Sequence, residues 1–287
     1  MFPSRPPKVL QPVLVRPFRA YGIRRVVASP PDYRDPTARA IRDEVRAFNT
    51  FAAGFDVQHC RPPQFHRKFT GGLPLHGRWY AGGSVNYQGF SKTERASLVI
   101  DGQPVVELDV RASFLTILHG LFDVPLPEDD LYAFPGIPRD VVKAGIVATL
   151  GKGSIICQWS KRSIKKTEEC AEHSAPKVAA ALVTRYSFLL TLGDVVAHPP
   201  DTFRASRGVI SAYLMGVESN AMTVAMGYIR EHGGALALPV HDSLIVPESA
   251  EAIAREGIAE GFRRFAKVVP VIEVSRQDRT VSRRSMN

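Results

Sequence analysis

The sequence predicts an α+β fold in which a β-sheet packs against helices. Two apolar segments have strand character, QPVVELDV at 103–110 and ALALPVHDSLIVPES at 235–249, and each contains an aspartate. Asp101-Gly102, which precedes the first segment, predicts a tight β-hairpin. Helical periodicity dominates between the two segments, most clearly over 209–232. Strands that alternate with blocks of helices in this way predict a layered α+β architecture.

The pattern also divides the 287 residues into six segments. Asp35 followed by Pro36 predicts the start of a helix, because aspartate is a good N-cap and proline suits the first helical position. The predicted segments are a basic proline-rich arm (1–34), an N-terminal helical region (35–75), a strand-rich region (76–124), a basic helical insertion (125–207), a long helix with the second strand region (208–275) and a basic tail (276–287).

The charge balance points to an anionic partner. Lys and Arg number 37 against 28 Asp and Glu, a formal net charge of +9, which favours nucleic acid or an anionic membrane surface. No apolar run is long enough to cross a bilayer. The three cysteines form no CxxC pair, which is typical of a reducing compartment. We therefore predict a cytoplasmic protein without a membrane partner.

Asp109 and Asp242 are the candidate catalytic residues. On the predicted strand, Val106, Leu108 and Val110 share one face, whereas Glu107 and Asp109 share the other. Two carboxylates that converge at one site repel each other unless a cation neutralises them. Mg²⁺ is the ion expected with carboxylates and phosphates, and two such ions support in-line phosphoryl transfer. Each aspartate taken alone is equally well explained as a turn cap.

Two cations on one helix form a candidate phosphate site. Arg139 and Lys143 lie four residues apart in PRDVVKAGIVATLGKG and would project from the same helix face. Paired cations suit a triphosphate whose α-phosphate is attacked. A solvated helix face is the alternative explanation.

The order of these motifs resembles the palm of single-subunit polymerases, the family of bacterial DNA polymerase I and phage-type RNA polymerases. ELDVRASF resembles motif A, the Arg139 and Lys143 pair resembles motif B, and PVHDS resembles motif C. The resemblance implies a right-hand palm, here an antiparallel sheet backed by helices, with a small helical fingers insertion. It also implies two Mg²⁺ ions (or Mn²⁺) on Asp109 and Asp242. Glu107, beside Asp109 on the same strand face, is predicted to be a third, outer carboxylate. His241 would lie near the primer terminus.

The resemblance covers about residues 76 to 266 and departs from the family at two motifs. Ser243 stands where many members have glutamate. In motif B, Leu150 and Gly151 come one position earlier than the aromatic residue and glycine of the family. The chain looks closer to compact relatives from phages and mobile elements, because it has no room for an exonuclease domain or a full thumb. A partner protein that supplies a thumb is therefore among the predicted partners.

Further residues are predicted to select the sugar and to contact nucleic acid. Phe114 lies five positions after Asp109, where the resemblance implies a side chain that blocks a ribonucleotide 2′-hydroxyl; a core phenylalanine is the alternative. Basic and aromatic clusters suit phosphates and bases, although each alone is also typical of a solvated face. The predicted nucleic-acid-binding residues are Arg78, Lys152, Trp159, Lys161, Arg162, Lys165, Lys166, Glu218 and Asn220.

Taken together, the sequence predicts a DNA polymerase-like nucleotidyltransferase that extends a nucleic-acid 3′ end with dNTPs on a DNA primer and template. Three alternatives stay open at this point. They are a two-metal nuclease, a primase or terminal transferase, and a non-catalytic nucleic-acid-binding protein.

Overall fold

The structure is a computed structural model that describes residues 10–18, 26–60, 63–83, 86–196 and 208–276. It has a mixed α+β architecture in which mostly antiparallel sheets are backed by helices, and this level of the fold prediction is confirmed. The basic tail predicted at 276–287 lies outside the described residues except for Arg276.

Nine strands and eight α-helices are assigned in the described ranges. The strands are β1 (Val13–Arg16), β2 (Val57–Gln58), β3 (Phe65–Thr70), β4 (His76–Ala81), β5 (Val99–Ile100), β6 (Gln103–Val110), β7 (Leu238–Val240), β8 (Ser243–Pro247) and β9 (Ile272–Arg276). The helices are α1 (Pro36–Ala52), α2 (Lys92–Ala96), α3 (Ser113–Leu121), α4 (Arg139–Lys152), α5 (Lys161–Lys166), α6 (Ala175–Arg185), α7 (Val209–Gly233) and α8 (Glu251–Ala266). Short 3-10 turns connect several of them, the longest over Ser187–Val195.

The larger sheet is organised around β6. This strand pairs antiparallel with β8 on one side and with β9 on the other, and β7 pairs with β8. The predicted hairpin is confirmed, since Asp101 and Gly102 both have positive φ in the turn between β5 and β6. Leu108 is 0% exposed, whereas Asp109 next to it is exposed, as the alternation predicted. The sheet thus has one buried face and one open face that carries Asp109.

A second sheet contains β1, β3 and β4. β1 runs parallel to β3 and lies within the predicted basic proline-rich arm, so residues 13–16 of that segment form part of the folded sheet. Val13 is fully buried, and its strand is registered with β3. Trp79 on β4 is also buried, which leaves Tyr80 on the other face of the strand.

Helices α7 and α8 pack closely against each other, and α7 also packs against β4 of the second sheet while α8 packs against β6 and β8 of the larger sheet. The approach depends on glycine, because a Cβ placed at Gly261 would lie 2.1 Å from the carbonyl oxygen of Ala221. Helix α1 begins as predicted, with the Asp35 side chain accepting a hydrogen bond from the backbone amide of Thr37 at 2.8 Å. These contacts fix the frame on which the site is built.

Of the helices in the described ranges, none is by itself both long and apolar enough to cross a membrane. Helix α6 and the 3-10 segment Ser187–Val195 together have the required length and composition, with a bend of 80° between them.

Candidate active site

Asp109 lies on β6, and Asp242 lies in the turn between β7 and β8 beside it, at the open face of the larger sheet. Asp109 is the register partner of Ser243, the first residue of β8, and Asp242 immediately precedes it. The backbone amide of Val110 donates to the carbonyl oxygen of Asp242 at 3.1 Å. His241 has a φ of 57°, so the β7–β8 turn is tight and holds Asp242 at its tip. The fold therefore brings together two aspartates that are 133 positions apart (242 − 109).

The charges of the site interact strongly. The pKa of Asp109 is raised to about 7, first by partial desolvation and then by the negative charges of Asp242, Glu107 and Glu273. Glu273 is the exposed register partner of Asp109 on β9 and was not predicted as a site residue. Like charges placed directly opposite on paired strands are destabilising. A bound cation would relieve that repulsion.

Glu107 was predicted as a third carboxylate, and its surroundings give it a structural role. Arg95 donates to both of its oxygens, each at 3.0 Å, and the hydroxyl of Ser243 donates to Oε1 at 2.8 Å. These bonds direct the carboxylate toward Arg95, so Glu107 is engaged in an ion pair rather than free to bind a metal ion. We correct the prediction accordingly.

The predicted phosphate-binding cations lie around Tyr132. The guanidinium of Arg139 is 5.1 Å from the centre of the Tyr132 ring, and the ammonium of Lys143 is 6.0 Å from it. Arg139 Nε also donates to Asp130 at 2.7 Å, so Asp130 occupies part of its fork. Burial raises the pKa of Tyr132 to about 12, opposed by Arg139 and reinforced by the negative charge of Asp242. Tyr132 therefore contacts both α4 cations and lies close enough to Asp242 to feel its charge, and it was not predicted as a site residue.

A buried polar group lies behind the aspartates. Glu218 on α7 is fully buried, accepts from Arg78 Nε at 2.8 Å and accepts from the Ser113 hydroxyl at 2.8 Å. The guanidinium of Arg78 is 5.8 Å from the centre of the half-buried Phe114 ring. Arg78 and Phe114 therefore border the site. Glu218 was predicted to bind nucleic acid, and that prediction is wrong because its side chain is fully buried and paired with Arg78.

Asn220 was also predicted to bind nucleic acid, and its side chain lies apart from that of Glu218. Its side-chain oxygen accepts from Arg67 Nη2 at 2.9 Å. Arg67 and Asn220 line a separate cavity of about 690 Å³, together with Glu44. Two residues on a helix point about 200° apart when one residue separates them. That geometry sends Glu218 toward Arg78 and Asn220 into this cavity.

The basic insertion exposes most of its predicted cations. Lys161, Arg162, Lys165 and Lys166 are exposed on α5, and Lys152 is exposed at the end of α4, where it donates to the carbonyl of Ile155 at 2.9 Å. Trp159 is partly buried, and its indole nitrogen donates to the carbonyl of His173 at 2.7 Å. Because it packs with Ile156 against helix α6, Trp159 has a packing role, and the prediction that it contacts nucleic acid is corrected.

The described residues contain no group of three or more His, Cys, Asp or Glu side chains arranged to hold a metal ion. Mg²⁺ in enzyme sites usually needs only one or two carboxylates, together with water and substrate phosphates. The oxygen donors of Asp109 and Asp242 fit that requirement, and Glu273 adds negative charge beside them.

Comparison with known proteins gave no assignment. No protein-family model matches the sequence, and no curated protein matches it at a significant level.

Proposed function

We propose that the protein is a metal-dependent nucleotidyltransferase that extends a DNA 3′ end with dNTPs. The single observation that carries the proposal is the convergence of Asp109 and Asp242 on paired elements of one sheet face. One aspartate is on a central strand and the other is at the tip of the adjacent hairpin, which is the arrangement expected of a polymerase palm. The α4 helix, with Arg139 and Lys143, would be the fingers element.

Asp109 and Asp242 would hold Mg²⁺, with Glu273 strengthening the negative field. When bound, the metal supplies stabilisation of the charge that develops on the attacking and leaving oxygens. The raised pKa of Asp109 supports this assignment, because crowded carboxylates are typical of sites that bind a cation.

The remaining residues would position the nucleotide. Arg139 and Lys143 would bind the triphosphate, and its oxygens would replace Asp130 on the Arg139 fork. In the reaction, the 3′-hydroxyl oxygen bonds to the α-phosphorus while the bond to the bridging oxygen breaks. Pyrophosphate leaves and the hydroxyl proton passes to solvent. Phe114 would exclude the 2′-hydroxyl, with Arg78 against its ring.

The test is primer extension with a labelled primer–template, Mg²⁺ and either all four dNTPs or all four NTPs. We expect extension with dNTPs, and a loss of at least about a thousand-fold in Asp109→Asn and in Asp242→Asn, because each variant removes several kcal/mol of charge stabilisation. Asp43→Asn removes an exposed carboxylate on α1 and serves as the matched control, with unchanged activity expected.

The same assay separates the alternatives. Shortening of the primer without dNTPs would identify a nuclease. Extension of a primer without template would identify a terminal transferase, and products on unprimed template would identify a primase. Full activity in Asp109→Asn would refute the site, and salt-sensitive binding with no incorporation under Mg²⁺ or Mn²⁺ would leave only a binding protein.

A further inference from the structure

The second sheet presents a cationic face toward the candidate site, and neither the charge pattern nor the motifs had indicated it. Directly opposed strand residues share a face. His66 is registered with Tyr80, Lys68 with Arg78, and Arg16 with Thr70. We call the side chains of Arg16, His66, Lys68, His76 and Tyr80 the β3–β4 wall.

The cations on this face differ in whether a carboxylate of the described residues neutralises them. Of the three cations on this face, Arg78 is paired with Glu218. Within the described ranges, neither Arg16 nor Lys68 has a carboxylate within 4.0 Å, and Arg16 is exposed. Unpaired cations gathered on one face without an acid are typical of a surface that binds a polyanion.

The Lys68 ammonium is held in place by an aromatic ring. It lies 4.3 Å from the centre of the Tyr80 ring, a cation–π contact. Tyr80 is itself fixed by a contact of 3.1 Å between its hydroxyl and His76 Nε2, and His76 Nδ1 contacts the Thr70 hydroxyl at 3.1 Å. Burial and the neighbouring cations lower the pKa of His76 to about 4, so it is neutral near pH 7. The cationic character of the wall therefore comes from the lysine and arginine side chains.

The wall has a fixed position relative to Asp242. The Tyr80 ring is 6.2 Å from the ring of His241, which precedes Asp242 in the β7–β8 turn. The Gln88 side chain donates to the carbonyl oxygens of Trp79 on β4 and Pro239 on β7, at 3.1 and 2.7 Å. The hydroxyl of Tyr87 donates to the same Pro239 oxygen at 3.0 Å. This clamp joins the wall to the turn, so an anion bound on the wall has a defined distance from Asp242.

We infer that the β3–β4 wall binds the phosphate backbone of the nucleic-acid strand whose 3′ end reaches Asp242, with Lys68 and Arg16 contacting phosphates upstream of that end. The inference rests on the proposed function for the direction of the strand. The phosphates of a nucleic-acid strand are regularly spaced, so neighbouring phosphates can contact Arg16 and Lys68 on the same sheet face. That face lies next to the turn that carries Asp242. Phosphate contacts of this kind position the strand without reading its sequence.

The experiment measures binding of a fluorescein-labelled primer–template with a recessed 3′ end by anisotropy, without divalent metal or nucleotide, over a range of salt concentrations. Each phosphate contact contributes about 0.7 to 0.9 to the slope of log K against log salt. We expect Lys68→Gln and Arg16→Gln each to lower the slope by about that amount and to weaken binding several-fold. Arg255→Gln removes a cation from α8, the helix behind the sheet, and should leave the slope unchanged.

A ring variant and a chemical scan localise the contact. Tyr80→Phe keeps the ring beneath Lys68 but loses the hydroxyl contact with His76, so it should weaken binding less than Tyr80→Leu, which removes the ring. Single methylphosphonate substitutions are placed in turn in the primer strand and in the template strand. Those in the primer strand should weaken wild-type binding at particular upstream positions, and Lys68→Gln should lose that sensitivity at one of them. The circular dichroism of each variant checks its folding.

Unchanged slopes in both Lys68→Gln and Arg16→Gln would overturn the inference. A sensitivity confined to template-strand phosphates would overturn it as well. Because the assay contains neither metal nor nucleotide, failure of primer extension would not alter these outcomes, and the two proposals fail separately.

Discussion

The guanidinium of Arg78 and the carboxylate of Glu218 form an ion pair with an N–O distance of 2.6 Å behind the candidate site. Glu218 is 0% exposed, and burial raises its pKa to about 7, opposed by the positive charge of Arg78. The loss of hydration of a buried ion pair offsets most of its attraction, so such a pair adds little net stability. Its effect here is to fix the guanidinium beside Phe114.

Replacing one partner of this ion pair should therefore lower the free energy of unfolding more than replacing both partners with apolar residues. Glu218→Gln leaves Arg78 without a counter-charge, and we expect a loss of about 3 kcal/mol in the free energy of unfolding, measured with urea. The double variant Glu218→Leu with Arg78→Met should recover most of that loss. Arg263→Gln breaks an exposed pair with Glu260 and should have little effect. Additive losses in the double variant would show that the pair is not coupled.

Glu273 should contribute to metal binding through its position opposite Asp109. We expect Mg²⁺ to raise the melting temperature of the wild type, because an ion that binds only the folded state stabilises that state. Asp109→Asn should abolish this shift, and Glu273→Gln should weaken the apparent affinity by about ten-fold, or ~1.4 kcal/mol. Glu260→Gln on the outer face of α8 is the control. Identical Mg²⁺ titrations of Glu273→Gln and wild type would exclude Glu273 from the cation site.

Phe114 should determine the choice of sugar. Replacing it with alanine removes the ring at the start of α3, and the ratio of kcat/KM for NTPs to that for dNTPs should rise by at least about ten-fold. Phe122→Ala removes a ring at the other end of the same helix, where it stacks on Phe188 at 5.4 Å. That control should lower stability without changing the ratio. Equal ratios in Phe114→Ala and wild type would assign Phe114 to the core alone.

Local signals in the sequence were sufficient to predict several features of the fold and of the site. The alternation of β6 placed Asp109 outward, Asp101-Gly102 gave the hairpin, and Asp35 gave the start of α1. Each of these features depends on residues within a few positions of one another. The pattern of β4 could also have shown that Trp79 is buried and Tyr80 is not, because successive strand residues face opposite sides.

Other features depend on long-range pairing and left no local signal. Glu273 meets Asp109 across 164 positions (273 − 109) through the register of β6 with β9. Nothing in VVPVIEV indicates which strand it joins or at which residue. Arg95 likewise reaches Glu107 from α2 rather than from a neighbouring strand position. The partner of a charged residue can be predicted only when the pairing itself is known.

His66 should make stability depend on pH. It is 5% exposed with no hydrogen-bond partner for Nδ1 among the described residues, and burial with the charge of Lys68 lowers its pKa to about 4. The unfolded chain has an ordinary value near 6.5, so protons bind the unfolded state more tightly. The contribution of His66 to the free energy of unfolding is therefore fully present above about pH 7, and it is lost as the pH drops from about 6.5 toward 4.

The measurement compares the wild type with His66→Phe by urea unfolding at pH 7 and pH 5. Between these values the wild type should lose about 1–2 kcal/mol more than the variant, because phenylalanine does not titrate. His232→Gln changes an exposed histidine at the end of α7 and should follow the wild type. Parallel pH profiles for wild type and His66→Phe would show that His66 is not kept neutral by folding.

The contact between α7 and α8 should not tolerate a methyl group at Gly261. A Cβ there would lie 2.1 Å from the backbone oxygen of Ala221, which cannot move without displacing α7. Overpacking of this kind costs about 1–3 kcal/mol and outweighs the gain of up to about 1 kcal/mol in helix propensity. We expect Gly261→Ala to lower the free energy of unfolding by about 1 kcal/mol net, and by at most about 2 kcal/mol.

Gly227→Ala is the matched control on α7. A Cβ at Gly227 meets no atom within 4 Å, and the residue borders an open cavity of about 430 Å³. The same substitution should there raise the free energy of unfolding by up to about 1 kcal/mol, because only helix propensity and the entropy of the unfolded chain change. Opposite signs for the two variants are the expected result. If Gly261→Ala were also stabilising, the helices would have to lie farther apart than the Ala221 contact requires, and the sheet they support would be less firmly fixed.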